Sequence, residues 1–261
     1  MPTDAPPPLA LENIRKEFGG VVAIDEISLS VERGEVVAVV GDNGAGKSTL
    51  IKIISGIYQP TSGNVLLGGE KVHLSDASIA RKRGVEVVHQ DLAIVDHQTV
   101  YMNMFLGREL VTGPFRRLDK KRMAQQTQQL LDELDVRIPS AKHTIRDLSG
   151  GQRQGVAIGR ATHWAQQLVL MDEPTAALGV AETAKVEELI LRLRERNLAI
   201  LLVSHNMDQV IRLADRVTVL RRGIQVGTRV IKSTDKNEIV SMITGLQAAD
   251  AGGRPTHIRE E

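Results

Sequence analysis

The stretch Val36-Val37-Ala38-Val39-Val40-Gly41-Asp42-Asn43-Gly44-Ala45-Gly46-Lys47-Ser48-Thr49 decides the fold. Its first five residues form an unbroken apolar run, the character of a strand buried on both faces of a parallel sheet. Gly41 to Ser48 fits the phosphate-binding pattern G-x-x-x-x-G-K-[ST]. Residues 47–54 then carry apolar side chains at helical spacing, with a stop near Gly56. A loop that wraps phosphates must bring backbone N–H groups close, with few Cβ atoms in the way, which calls for the glycines at 41, 44 and 46. The helix that follows points its positive N-terminal end at the same anion. Lys47 adds a full charge near the β- and γ-phosphates, Ser48 can ligate Mg²⁺, and Thr49 is a further hydroxyl donor. The stretch therefore predicts a nucleoside triphosphate site with Mg²⁺ as its companion ion.

A second run, Leu168-Val169-Leu170-Met171-Asp172-Glu173, is an apolar strand that ends in two carboxylates. Parallel to the first strand, it places Asp172 beside the phosphate loop, where it can hold Mg²⁺ directly or through water. Glu173 is then positioned to polarise the water that attacks the γ-phosphate. A third string, Leu148-Ser149-Gly150-Gly151-Gln152, precedes a helix-like stretch.

Around these strings the chain reads as an α/β domain. Strands are predicted at residues 9–14, 21–31, 36–40, 85–88, 168–171, 199–203 and 216–220, with turns at Gly19-Gly20 and Arg33-Gly34. Residues 65–67 and 71–74 suggest a hairpin. A helix is predicted over 181–196. Residues 91–159 change character, rich in Gln, Arg, Lys and Leu, and read as a helical lobe inserted into the core. Within it, residues 118–134 form an amphipathic helix with Leu130, Leu131 and Leu134 on one face. The Pro-rich start (1–8) and the end (246–261) are expected to be flexible tails, leaving one unit over 9–245.

Composition narrows the class. The chain has 261 residues, of which 42% are hydrophobic, enough for a sizeable core. It has no cysteine, which excludes a disulfide framework and a thiolate metal site. The formal charge of +1 comes from 33 basic and 32 acidic residues, without the basic surplus of a dedicated nucleic-acid binder. The clusters Arg81-Lys82-Arg83, Arg116-Arg117 and Lys120-Lys121-Arg122 read as solvated helix faces, because aromatic stacking platforms are scarce. No apolar run approaches the roughly 18–20 residues of a membrane span. If the protein serves a membrane, other chains must cross it.

The phosphate loop, the Asp172-Glu173 strand end and Leu148-Ser149-Gly150-Gly151-Gln152 together resemble the ATP-binding cassette (ABC) family over residues 9–245. That resemblance implies a P-loop, RecA-like core with an N-terminal antiparallel β subdomain and the inserted helical lobe. It implies that Gln90 contacts Mg²⁺ and the attacking water and hinges the lobe, and that His205 contacts the γ-phosphate. Phe18 stands where the family usually has an aromatic, often Tyr, that stacks on adenine. Ser149, Gly150, Gly151 and Gln152 would face the γ-phosphate held by a second copy, so that ATP closes a homodimer. Trp164 is assigned to packing.

Four strings narrow the resemblance to ATPase subunits of monosaccharide importers of the ribose, xylose and fructose type: Gly41 to Thr49, Val88-His89-Gln90-Asp91, Phe105-Leu106-Gly107-Arg108-Glu109 and Ser204-His205-Asn206-Met207. Such a subunit hydrolyses ATP at the cytoplasmic face of the membrane, docked on two membrane-spanning permease subunits through a groove beside Gln90. An extracytoplasmic binding protein delivers the sugar. The alternatives are a cassette for other cargo, or a soluble cassette acting on ribosomes or DNA. The long coiled coil of chromosome and repair ATPases has no counterpart between Lys47 and Leu148. Gly179 departs from the family, which usually has Asp there.

Overall fold

The computed structural model describes residues 5–176 and 178–246. Most of the two expected tails therefore lies outside the described residues. Residues 5–8 do not: Pro8 is buried, and its carbonyl accepts a hydrogen bond from Gly68 N–H at 3.2 Å.

Ten strands form one mixed sheet. In chain order the elements are β1 (Leu9–Phe18), β2 (Val21–Val31), β3 (Val36–Val40), α1 (Lys47–Ile54), β4 (Ser62–Leu67), β5 (Glu70–Val72), α2 (Ala77–Lys82) and β6 (Val85–Val88). Next come α3 (Val100–Met104), β7 (Val111–Thr112), β8 (Arg117–Leu118), α4 (Lys120–Glu133), α5 (Gly150–Trp164), β9 (Leu168–Asp172) and α6 (Val180–Glu195). The chain closes with β10 (Ala199–Val203), α7 (Met207–Leu213), β11 (Arg216–Arg221), β12 (Ile224–Val230) and α8 (Lys236–Thr244). The sheet order is β5-β4-β1-β2-β12-β11-β3-β10-β9-β6. Strands β11, β3, β10, β9 and β6 run parallel, and β5, β4, β1 and β2 pair antiparallel.

The reason β3 is apolar throughout is visible in its packing. Val36, Ala38 and Val40 face a core shared with the helical lobe, α6 and α7. Val37 and Val39 face a second core built on α1 through Leu50, Ile51, Ile53 and Ile54. Alternation along one strand feeds both layers. The lobe has its own packing: Met104, Phe105, Met123, Leu131 and Leu134 are all under 2% exposed. Leu131 and Leu134 carry the predicted face of α4, with Leu130 only partly buried.

The lobe is not wholly helical. Residues 111–118 form the hairpin β7–β8, so Arg116 and Arg117 sit at a turn and on a strand rather than on a helix face. Helix α5 also runs past residue 159, to Trp164. Two elements after residue 221, β12 and α8, extend the core beyond the last predicted strand: β12 pairs with β11, and α8 buries Ile239 and Met242.

Candidate functional site

The site lies at the carboxyl ends of β3, β9 and β10, where an α/β sheet opens a crevice. One cleft of about 650 Å³ is lined by Val21, Val22 and Ala23, by residues 43–49, and by Gln90, Asp172, Glu173, Val203, His205 and Arg222. The topology thus brings together Asn43, Gly44, Ala45, Gly46, Lys47, Ser48, Thr49, Gln90, Asp172, Glu173 and His205. Gly41 and Asp42 form the floor of the loop. Their carbonyls accept hydrogen bonds from Lys47 Nζ at 2.6 and 2.9 Å.

The glycines of the loop divide into two kinds. A Cβ on Gly41 would lie 2.1 Å from Leu220 O, and one on Gly46 would lie 2.4 Å from Ile24 Cγ2. These two glycines are required by packing against the domain itself, as well as by φ of +153° and +104°. A Cβ on Gly44, at φ +81°, would meet nothing within 4 Å, so this side of the cleft stays open to a ligand.

Glu173 leaves the end of β9 with φ +51°, in the left-handed region that non-glycine residues seldom occupy. Its amide donates to Val203 O at 2.9 Å, and its Oε1 lies 2.8 Å from His205 Nδ1. The His205 side chain is 76% exposed and that of Glu173 only 16%, so the imidazole reaches over the carboxylate from the solvent side. Beneath them, Gln209 is buried and ties the two turns together. It accepts from Ser204 Oγ and donates to Thr175 Oγ1, both at 2.8 Å. Gln209 and Thr175 carried no signal as isolated polar residues in the sequence. Only the meeting of two distant strand ends gives them a role.

Charge is concentrated in the cleft. Burial holds the Asp172 carboxyl above the usual Asp range, and the Glu173 charge adds to this, while His89, Lys47 and Lys52 oppose it. Burial draws the Lys47 ammonium down, against Glu173, Asp42 and Asp172. A lysine ammonium and an aspartate carboxylate are thus both half-desolvated and close enough to influence each other.

Gln90 is exposed at the rim of the cleft. The segment that follows it is held by Arg160 of α5, which donates to Leu92 O and Ala93 O at 3.0 and 2.8 Å. Phe18 does not line the cleft. It is the register partner of Val21, which does, and is 41% exposed. Its ring meets Tyr58 edge-on at 5.1 Å, with Lys16 Nζ 4.8 Å from its centre. Trp164 packs as expected, donating from Nε1 to Met104 O at 3.0 Å beneath the Arg108 guanidinium.

Ser149, Gly150, Gly151 and Gln152 also lie away from the cleft, at the start of α5. They form a capping box: Ser149 Oγ accepts from Gln152 N–H, and Gln152 Oε1 accepts from Ser149 N–H at 2.9 Å. Ser149 is exposed. Within one chain, none of these four residues lines the cleft around Lys47.

A second groove of about 320 Å³ borders the site on the lobe side, lined by Ile57, Arg81, Glu86, His89, Leu106, Arg108 and Trp164 among others. Arg108 and Glu86 pair across it at 2.6 Å. Ile57 and Leu106 are half exposed.

With this geometry in view, the comparisons identify the class. The family model described as ABC transporter matches residues 24–176, and the chain belongs to that family, as its ATP-binding, ATP-hydrolysing cassette. It is 44% identical, over 91% of its length and 94% of the relative's, to the xylose/arabinose import ATP-binding protein of Sulfolobus acidocaldarius. It is 42% identical to the fructose import ATP-binding protein of Rhizobium meliloti, over 92% of this chain and 95% of that one. Other relatives are longer: the chain spans about half of the ribose import ATP-binding protein of Clostridium tetani, at 37% identity. Among solved structures, the ADP conformation of an ATP-binding cassette of an ABC transporter superposes with a TM-score of 0.80 at 25% identity, over 93% of this chain and all of that one. A dimeric post-hydrolysis cassette bound to ADP and Pi superposes with a TM-score of 0.71 at 25% identity, over 87% of this chain and all of that one.

Proposed function

We propose that this chain is the ATPase subunit of a monosaccharide importer, acting as a homodimer at the cytoplasmic face of a membrane. The observation that carries the reading is one cleft holding Lys47, Asp172, Glu173 and His205, in a chain whose full-length relatives are named as sugar import ATP-binding proteins. No described helix is long and apolar enough to cross a membrane, and in this reading the crossing belongs to permease subunits. The groove between Glu86, Arg108 and Trp164 is the proposed seat for a short helix of each of two permease subunits. An extracytoplasmic sugar-binding protein acts through the permease.

The residues suit a Mg²⁺ nucleotide. No group of three or more His, Cys, Asp or Glu among the described residues would cage a metal by itself. Mg²⁺ typically takes one or two protein ligands and completes its shell with phosphates and water. Ser48, Asp172 and Gln90 fit that role, and the ion would neutralise charge on the phosphates.

In this mechanism Lys47 exchanges the carbonyls of Gly41 and Asp42 for phosphate oxygens. The first residues of α1 present their N–H groups to the same anion. Phe18, the register partner of the cleft-lining Val21, is the aromatic proposed to meet the adenine. Glu173 orients the attacking water and accepts its proton, and His205 holds the Glu173 carboxylate and reaches the γ-phosphate. The start of α5 in the second copy, with Ser149, Gly150, Gly151 and Gln152, closes the site.

Lys47→Ala tests the assignment. It should abolish Mg-ATP binding and hydrolysis while leaving the fold intact, since Lys47 contributes only two hydrogen bonds to loop carbonyls, worth about 1 kcal/mol net each. Circular dichroism checks the fold, and a fluorescent ATP analogue checks binding. A folded variant with unchanged ATPase activity would refute the site.

A further inference from the structure

The N–H of Gly151 already has an anionic partner. Glu182, on the first turn of α6, accepts a hydrogen bond from Gly151 N at 3.2 Å through Oε1. Its other oxygen, Oε2, accepts from Gly179 N at 3.4 Å. The approach is close: a Cβ on Gly151 would lie 3.1 Å from both Cβ and Cγ of Glu182. The bond from Gly151 is the largest influence holding the Glu182 carboxyl below the usual range. The Gly179 N–H, the Ser149 hydroxyl and Lys185 act in the same direction. One donor of the segment proposed to receive a partner's γ-phosphate, the Gly151 amide, is therefore directed at a carboxylate of its own chain.

One N–H cannot serve two anions at full strength, and a carboxylate beside an incoming phosphate repels it. The carboxylate also has a second anchorage. If Gly151 is taken, Oε2 keeps its bond to Gly179 and the capping of α6 survives. We propose that Glu182 is a positioning residue of the two-chain ATP site, holding the Gly151 amide in the place of the γ-phosphate and yielding it when the second copy closes. The proposal rests on the reading of Ser149 to Gln152 as the lid over a partner's nucleotide. Glu182 keeps the start of α5 ordered and its donors oriented while the dimer is open. Only a nucleotide with a γ-phosphate brings an anion able to replace it. The contact also links the lid of one site to the Gly179 loop, through a residue 31 positions further along the chain.

The two roles for Glu182 differ in sign. If it were merely structural, its removal would weaken closure. If it competes with the γ-phosphate, removing its charge strengthens closure. The test uses the full chain carrying Glu173→Gln, so that ATP is retained, and follows mass by light scattering during Mg-ATP titration. Adding Glu182→Gln, which keeps the shape and removes the charge, should lower the ATP concentration for half-maximal dimer about two- to fivefold, the scale of one charge at a helix N-terminus. Nucleotide affinity of the dilute monomer should not change, while the melting temperature should fall slightly, because a carboxyl held low by Gly151 and Gly179 stabilises the folded chain at neutral pH. Glu182→Ala should shift in the same direction. A Glu182→Gln protein that needs as much ATP as its parent, or more, overturns the proposal. Ser149→Arg in the same background separates the two readings. If it abolishes the dimer while Glu182→Gln does not tighten it, only the role of Glu182 fails. If Ser149→Arg leaves the dimer intact, or if no variant dimerises with ATP, the two-chain site fails and this proposal with it.

Discussion

Asp172 and Lys47 bring opposite charges into the same half-buried cleft, and neither is fully compensated by the protein. Burial and the neighbouring Glu173 raise the Asp172 carboxyl above its ordinary range. For an acid raised on folding, the native state keeps its proton longer than the unfolded chain. Stability of the nucleotide-free protein therefore falls as pH rises through the acid range above the ordinary Asp value. At neutral pH the full cost is present. Asp172→Asn should thus raise the melting temperature of the nucleotide-free chain at about pH 7 and flatten its decline between acid and neutral pH. It should also remove most of the extra stability gained on adding Mg-ATP. Thermal unfolding with and without Mg-ATP checks both. A variant less stable than wild type without nucleotide would show that desolvation of Asp172 is not a cost to the fold. Legibility at this scale was uneven. Lys47, Asp172 and Glu173 were readable because each ends or begins an element whose pattern is local. His205 and Gln90 were placed by resemblance. Gln209 and Glu182 were not readable, because their partners lie across the fold at Thr175 and Gly151.

At the scale of elements, the start of α5 has two duties. Ser149 caps the helix through Gln152, is exposed, and in the proposed dimer is also a donor offered to a second copy. Ser149→Ala should cost about 1 kcal/mol of stability, the usual value of an N-cap, and reduce ATPase activity. Ser149→Arg loses the same cap, so its stability should be similar. The bulky side chain should abolish hydrolysis while monomer nucleotide affinity stays at the wild-type value. Comparing the two variants by melting and by turnover separates the cap from the lid. If both lose activity only in proportion to stability, the lid role fails. The elements that escaped sequence reading share a cause. Strands β7 and β8 have two residues each, too short for any period to show. Strand β12 exposes both ends, Ile224 and Val230, and buries only Val226, so it lacks the continuous apolar run that marks β3, β9 and β10. By contrast β3, buried on both faces, announced itself.

At the scale of the whole molecule, the phosphate loop and the Ser149 segment lie on separate surfaces of one chain. In the proposed account the fold assembles half of the site around Lys47 and a second copy supplies the complementary half. ATP would then be the ligand that shifts the balance from open to closed pairs, because on that account only the closed pair places the α5 N-terminus on the γ-phosphate. The sequence carried both halves, but nothing in it except resemblance said that they belong to different chains. The structure adds that the Gly151 amide is already occupied within its own chain.

The most direct measurement is the mass of the Glu173→Gln protein in Mg-ATP and in Mg-ADP, by light scattering, with bound nucleotide quantified in the same sample. Loss of the carboxylate should lower turnover at least about 100-fold, the scale of a general base, so ATP persists through the experiment. The expected mass is twice the 28.5 kDa of one chain in Mg-ATP, and 28.5 kDa in Mg-ADP. A 28.5 kDa species fully loaded with ATP would contradict closure by a second copy.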